Sequence, residues 1–124
     1  MSIIMEPARE TPVIEECDLC VIGGSCTGVF AAVTAARQGL RVALVELHGF
    51  FGGVATARMV NVWHSLWCEK RERRIIAGLS VELMERLKAH NAVVDRGPDP
   101  HWQFCFNSAE LTIELDRLVG ELEG

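Results

Sequence analysis

The chain of 124 residues contains no uncharged apolar run of 18, so no segment reads as a transmembrane span. It carries no excess of basic residues either: the net charge is −5, which argues against nonspecific binding to nucleic acid. The opening, Met1 to Pro7, has neither a basic start nor a long apolar stretch. A secretory signal is therefore not expected, and the chain reads as cytoplasmic. Its five cysteines are odd in number and scattered, which speaks against a disulfide framework. Repeats, linkers and low-complexity segments are missing as well. What is present is 49% apolar content, enough for one modest globular domain with a packed core.

Two spacings raise a metal reading, and neither sustains it. Cys17 and Cys20 lie three apart on a predicted strand, where alternation sends their side chains to opposite faces. His64 and Cys68 would share one face of a predicted helix, yet no third ligand is near, so packing is the better reading. No metal is expected.

The most informative stretch runs from Asp18 to Glu46. The chain from Asp18 reads as a strand, Gly23-Gly24-Ser25-Cys26-Thr27-Gly28 as a glycine-rich turn, and the alanine-rich residues after it as a helix. Gly39 suits the end of that helix, and Arg41 to Val45 reads as a second strand closed by Glu46. The order predicts an α/β fold built on a Rossmann-like βαβ unit, which cradles the ADP half of a dinucleotide.

Each residue type has a physical reason to be there. A pyrophosphate is met by the N–H groups and partial positive charge of a helix N-terminus, so the turn must bring backbone close to it. Gly23 permits a tight exit from the strand, and Gly28 lets the helix pack closely on the turn. Ser25 stands where the usual pattern has its middle glycine. Its hydroxyl could donate to a phosphate oxygen, or it could simply be tolerated. Cys26 sits where a helix N-terminus lowers a thiol pKa, though a packed small side chain is the more natural role. Glu46 follows Gly28 by 18 residues, near the spacing of roughly 20 at which an acid meets a ribose hydroxyl. A carboxylate there suits FAD or NAD and would repel the 2′-phosphate of NADP. A βαβ unit without a ligand stays open at this point.

Past Glu46 comes Leu47-His48-Gly49-Phe50-Phe51-Gly52-Gly53-Val54-Ala55-Thr56. Val21-Ile22-Gly23-Gly24 through Glu46, followed by Gly52-Gly53-x-Ala55-Thr56, resembles the N-terminal part of FAD-dependent oxidoreductases of the glutathione-reductase-like superfamily. The resemblance implies that Gly52-Gly53 passes beside the pyrophosphate and ribityl chain, with Ala55 and Thr56 near the flavin end. It implies FAD as cofactor, with Gly23, Gly24, Ser25, Cys26, Thr27, Gly28, Glu46, Leu47, Gly52, Gly53, Ala55 and Thr56 around it. An ordinary glycine turn at Gly52-Gly53, and with it an NAD-binding module, is the alternative. Disulfide reductases of the superfamily carry Cys-x4-Cys just after the second glycine motif. Here the first cysteine after Gly53 is Cys68, so a dithiol mechanism at that place is not expected.

The remaining chain is less specific. Residues 1–16 read as a leader with Pro7 and Pro12 opposing a helix, and residues 17–124 as the FAD-binding part. Residues 54–68 are expected to be helical, with Trp63 and Trp67 on one face. The charged run Glu69 to Arg74 reads as a solvated turn or helix end. Leu79, Leu83 and Leu87 predict an amphipathic helix from about Gly78 to His90. Gly97 to Pro100 predicts a turn, and Trp102, Phe104 and Phe106 one face of a short strand or hairpin. Asn107 is placed to cap a last helix with Leu111, Leu115, Leu118 and Leu122 inward.

Two parallel strands make a poor sheet by themselves. The resembled family continues past such a helix into another strand, so an incomplete domain of a larger flavoenzyme is expected. The expected function is that of an FAD-dependent oxidoreductase acting on an unidentified small molecule. The alternative is a nonenzymatic fragment or an NAD-binding module. The remainder of the flavoenzyme or a second copy is a possible partner. No catalytic residue is assigned; Arg58 and His64 are the two worth probing.

Overall fold

A computed structural model describes residues 2–64, 66–68, 70, 72–95 and 104–122, with Asp95 described by its backbone alone. The chain begins with β1 (Leu19–Ile22), α1 (Cys26–Arg37) and β2 (Val42–Val45). The two strands are parallel, with Leu19 opposite Val42 and Ile22 opposite Val45. A parallel pair needs a crossover, and α1 supplies it. Gln38 caps the helix and Gly39 follows at φ +87°, a left-handed conformation suited to glycine. Where the strands begin, the Asp18 carboxylate accepts from the Arg41 backbone N–H at 2.8 Å and from its guanidinium at 3.2 Å. Those bonds hold Asp18 below the usual carboxylate range.

After β2 the chain makes a single 3-10 turn at Gly53–Ala55 and then β3 (Val62–Trp63). The expected helix over 54–68 is not formed. Met59 takes a positive φ of 55°, and Val62 and Trp63 pair with Cys105 and Phe104 instead. A β-branched residue beside an aromatic gains more from a sheet position against Phe106 than from a helix. The Trp63 ring lies 5.1 Å from that of Phe106, tilted by 57°. Trp63 with Trp67, and His64 with Cys68, consequently share no helix face.

The second sheet has three antiparallel strands in the order β3, β5 (Phe104–Phe106), β4 (Val93–Asp95). Phe104 and Phe106 point inward and are 5% and 3% exposed, as their alternation predicts. Trp102 and the predicted turn at Gly97–Pro100 lie outside the described residues. The run of charges contains a turn, in which Trp67 bridges Arg74 and the Cys68 N–H donates to the Arg73 carbonyl at 2.9 Å.

Helix α2 (Leu79–Ala89) packs against helix α3 (Ser108–Gly120), which packs in turn against α1. The Asn107 side chain caps α3, accepting from the N–H groups of Ala109 at 2.9 Å and Glu110 at 3.3 Å. The core lies between the three helices: Val29 and Val33 from α1, Leu83 and Leu87 from α2, and Leu111, Leu115 and Leu118 from α3 are fully buried. Burial of each such side chain contributes about 1.5–3 kcal/mol. Around its rim, Arg37 of α1 forks onto Glu82 of α2 at 2.7 and 2.8 Å. Arg86 joins Glu82 at 2.8 Å and Glu121, beyond α3, at 2.8 Å. The Arg37 and Arg86 guanidinium groups together pull Glu82 down to about 2.

The β1–β2 pair is covered on one side only. Val21 and Leu44 lean toward the helices, while Ile22 is 78% and Val45 50% exposed. Residues 2–16 form neither helix nor strand and are exposed.

Candidate functional site

The turn after β1 and the loop after β2 meet above the parallel strands. Gly23 leaves β1 at φ +101°, and its N–H donates to the Val45 carbonyl at 2.7 Å. Gly24 follows in a slot too narrow for a side chain. A Cβ there would lie 2.5 Å from the Phe51 ring and 3.0 Å from Glu46 Oε2. The Gly24 N–H donates to that same Glu46 oxygen at 2.6 Å, and the other carboxylate oxygen accepts from the His48 N–H at 2.8 Å. These two backbone bonds, that from His48 being the stronger influence, keep the Glu46 carboxyl below its ordinary range.

Ser25 caps α1. Its hydroxyl oxygen accepts from the Gly28 N–H at 3.3 Å, which leaves the hydroxyl hydrogen free to donate elsewhere. Gly28 presses on the turn it follows: a Cβ would come within 1.8 Å of the Gly23 carbonyl oxygen. Thr27 is exposed in the first turn, where a helix leaves N–H groups without intrahelical acceptors. Cys26 is half-buried, with Sγ 3.7 Å from the Gly52 carbonyl oxygen. Burial pushes its thiol up to about 11, so desolvation outweighs the helix terminus and the residue is a packed, neutral thiol.

The second glycine pair closes onto the first turn. The Gly52 N–H donates to the Gly24 carbonyl at 2.8 Å, and Gly52 and Ser25 form a parallel bridge. Gly52 stands at φ +110°, where a Cβ would strike the Thr56 side chain at 2.3 Å. Gly53 stands at φ +56° and lies against the Cβ of Ser25. Thr56 is tied inside the loop, its hydroxyl donating to the Phe51 carbonyl at 2.7 Å. Ala55 is buried, and its carbonyl accepts from the Ser108 hydroxyl at 2.8 Å. The loop is thereby pinned to the start of α3.

Ten of the twelve residues singled out in the sequence thus form one connected assembly: Gly23, Gly24, Ser25, Cys26, Gly28, Glu46, Gly52, Gly53, Ala55 and Thr56. Thr27 stands at its edge. Leu47 is 93% exposed. Ala55 and Thr56 are covered, so they shape the loop and do not line its open side. Arg58 is exposed, and His64 lies beyond the turn next to Trp63. The sequence reading missed Phe51, whose ring walls Gly24, and Ser108, which anchors the loop from α3. An aromatic directly before a glycine pair and a serine in an N-terminal helical turn are too common to have signalled either role.

Several properties match what a dinucleotide requires. The turn carries no Cβ at Gly23, Gly24 or Gly28, it opens onto a helix N-terminus, and a carboxylate ends the neighbouring strand. Among the described residues no group of three potential ligands is placed to hold a metal ion. No helix among them is long and apolar enough to cross a membrane.

Residues 18–123 match the family model described as FAD dependent oxidoreductase. A curated relative, the mitochondrial dihydrolipoyl dehydrogenase of Schizosaccharomyces pombe, is 34% identical over 85 residues, a match covering 60% of this chain and 17% of the relative. Among solved structures, Thermovibrio ammonificans THI4 is similar in fold, with a TM-score of 0.52 and 20% identity, covering 86% of this chain and 36% of that one. The chain therefore spans about a sixth of the length of the curated relative.

Proposed function

The chain belongs to the FAD dependent oxidoreductase family, and from that premise we propose that it supplies the part of a flavoenzyme that grips FAD. The observation that carries the reading is the joining of the two glycine motifs through the Gly52 to Gly24 bond and the Ser25–Gly52 bridge. An isolated glycine turn has no need of a second one folded against it. Together they make a surface of backbone on which a pyrophosphate can lie without side chains between.

In this reading Gly23 to Gly28 and the α1 terminus meet the pyrophosphate, and the Ser25 hydroxyl donates to it. Glu46 accepts from ribose hydroxyls, using the lone pairs that Gly24 and His48 leave. Gly52 and Gly53 pass beside the remaining chain of the cofactor, and Thr56 and Ala55 hold that loop rigid. When bound, the flavin supplies the redox chemistry by accepting a hydride or electrons from a small-molecule substrate. The residues here bind and orient; no acid or base among them is assigned. Gly53 is followed by Val54, Ala55, Thr56, Ala57 and Arg58, so no dithiol takes part at this place. We place the protein in the cytoplasm, without nucleic-acid or membrane partners.

The test is direct. The chain is purified with FAD present, desalted, and its visible spectrum recorded. Retained absorbance with the structured bands of a bound flavin is expected. A colourless protein that instead binds NAD would replace the reading with that of an NAD module, and a folded protein binding neither would refute it.

A further inference from the structure

A cavity of about 360 Å³ opens between the N-terminal end of α1 and β3. It shares Cys26 and Thr27 with the glycine turn but includes none of Gly23, Gly24 or Glu46. Its volume falls in the range of small-molecule sites, about 300–1,000 Å³. Phe30, Trp63, Leu66 and Ile76 give it apolar walls. Leu66 is buried, and Trp63 is held against Phe106, so two of those walls are anchored from behind.

The polar groups in it are few. Thr27, Ser80 and His64 can all donate a hydrogen bond, and no carboxylate lines the cavity among the described residues. His64 is the one lining group there that can carry a positive charge. The imidazole is exposed. An apolar chamber with donors and a single potential cation suits a ligand with an apolar body and one anionic group. A dianion would leave a charge unmatched, and an amine would find no counter-ion.

We propose that this cavity is the substrate chamber of the protein and takes a small aromatic or aliphatic monocarboxylate, its acid group against His64. The assignment as substrate rests on the FAD reading, because Cys26 and Thr27 make the chamber continuous with the cofactor cradle. Binding of the acid itself does not depend on FAD.

The test uses the full chain and naphthalene-2-carboxylate as probe, followed by isothermal titration, with 2-naphthylmethanol as uncharged control. Wild type is expected to bind the acid saturably with one site. His64→Ala and Ile76→Glu each weaken the acid about tenfold, the second by placing a carboxylate at the mouth. The alcohol binds the wild type and His64→Ala alike. Both substituted residues are exposed, and circular dichroism verifies that the variants fold. FAD titrated into the same variants keeps its wild-type affinity. Absence of saturable binding of the acid, or equal affinity in all three proteins, overturns the proposal. So does a loss of FAD binding in His64→Ala equal to the loss of the acid, since the cavity would then be part of the cradle. If FAD fails to bind any of them while the acid follows the expected pattern, the chamber stands and the cofactor reading falls.

Discussion

The Gly24 N–H and Glu46 Oε2 stand 2.6 Å apart, joining the turn after β1 to the end of β2 across 22 residues of sequence. The acid expected to meet a ribose is thus also a brace for the phosphate turn. Replacing Glu46 by Ala removes both functions together. A loss of FAD affinity of about tenfold or more is expected. Absorbance titration of wild type and variant measures it, and unchanged affinity would remove Glu46 from the site.

Ser25 separates capping from ligand contact. Its oxygen accepts from Gly28, while its hydrogen stays available. Ser25→Ala is expected to cost about 1 kcal/mol of stability, and Ser25→Gly only a few tenths. If the hydroxyl also donates to phosphate, both variants lose FAD affinity to a similar degree despite their different stabilities. Urea unfolding and FAD titration on the pair distinguish the two contributions.

Gly28 admits no side chain. With a Cβ only 1.8 Å from the Gly23 carbonyl oxygen, Gly28→Ala forces the helix off the turn. A destabilisation of roughly 2–4 kcal/mol is expected, read as a lower urea midpoint. Gly39→Ala is the contrast: nothing lies within 4 Å of the added Cβ, and its cost comes from the positive φ alone. That cost is about 1–2 kcal/mol.

The helix rim gives a pH dependence of known sign. Glu82 is depressed from its ordinary value near 4.5 to about 2, by Arg37 first and then by Arg86. A group lowered on folding adds stability above its unfolded pKa, and loses it as pH falls through the folded one. Glu82→Gln should therefore cost on the order of 1 kcal/mol near pH 7, allowing for solvent screening of a rim site. The gap between wild type and variant should narrow between about pH 4.5 and pH 2. A gap that is constant with pH would show that the pair contributes through packing alone.

In the core, Leu115 is fully buried between helices. Leu115→Ala is expected to cost about 2–5 kcal/mol. Thermal unfolding followed by circular dichroism checks it.

The βαβ unit was legible because local rules suffice there. Strand propensity, a glycine turn, alanines and a terminal acid each announce themselves within a few residues. Within that helix Ala31 is exposed while Ala32 and Ala35 are buried. The capping Asn107 and the leucines of α3 were equally readable. The segment from Val54 to Cys68 was not, because its strand exists through pairing with Phe104 and Cys105, more than 40 residues away. Apolar periodicity within the segment cannot register a partner at that distance. Likewise the bracing bonds of Glu46 and the burial of Ala55 and Thr56 follow from how two distant loops stack. Residue types alone named the loops without indicating which atoms they turn toward one another.

The bond from Gly52 to Gly24 closes a loop of chain that includes all of α1 and β2. A ligand that needs both glycine loops side by side is bound only while that loop is closed, so its affinity and the fold's resistance to unfolding are one linked equilibrium. At a hundred times its dissociation constant such a ligand adds about 2.7 kcal/mol to stability. A shorter peptide spanning Asp18 to Glu46 retains the recognisable pattern and none of this linkage, since the second loop is absent from it.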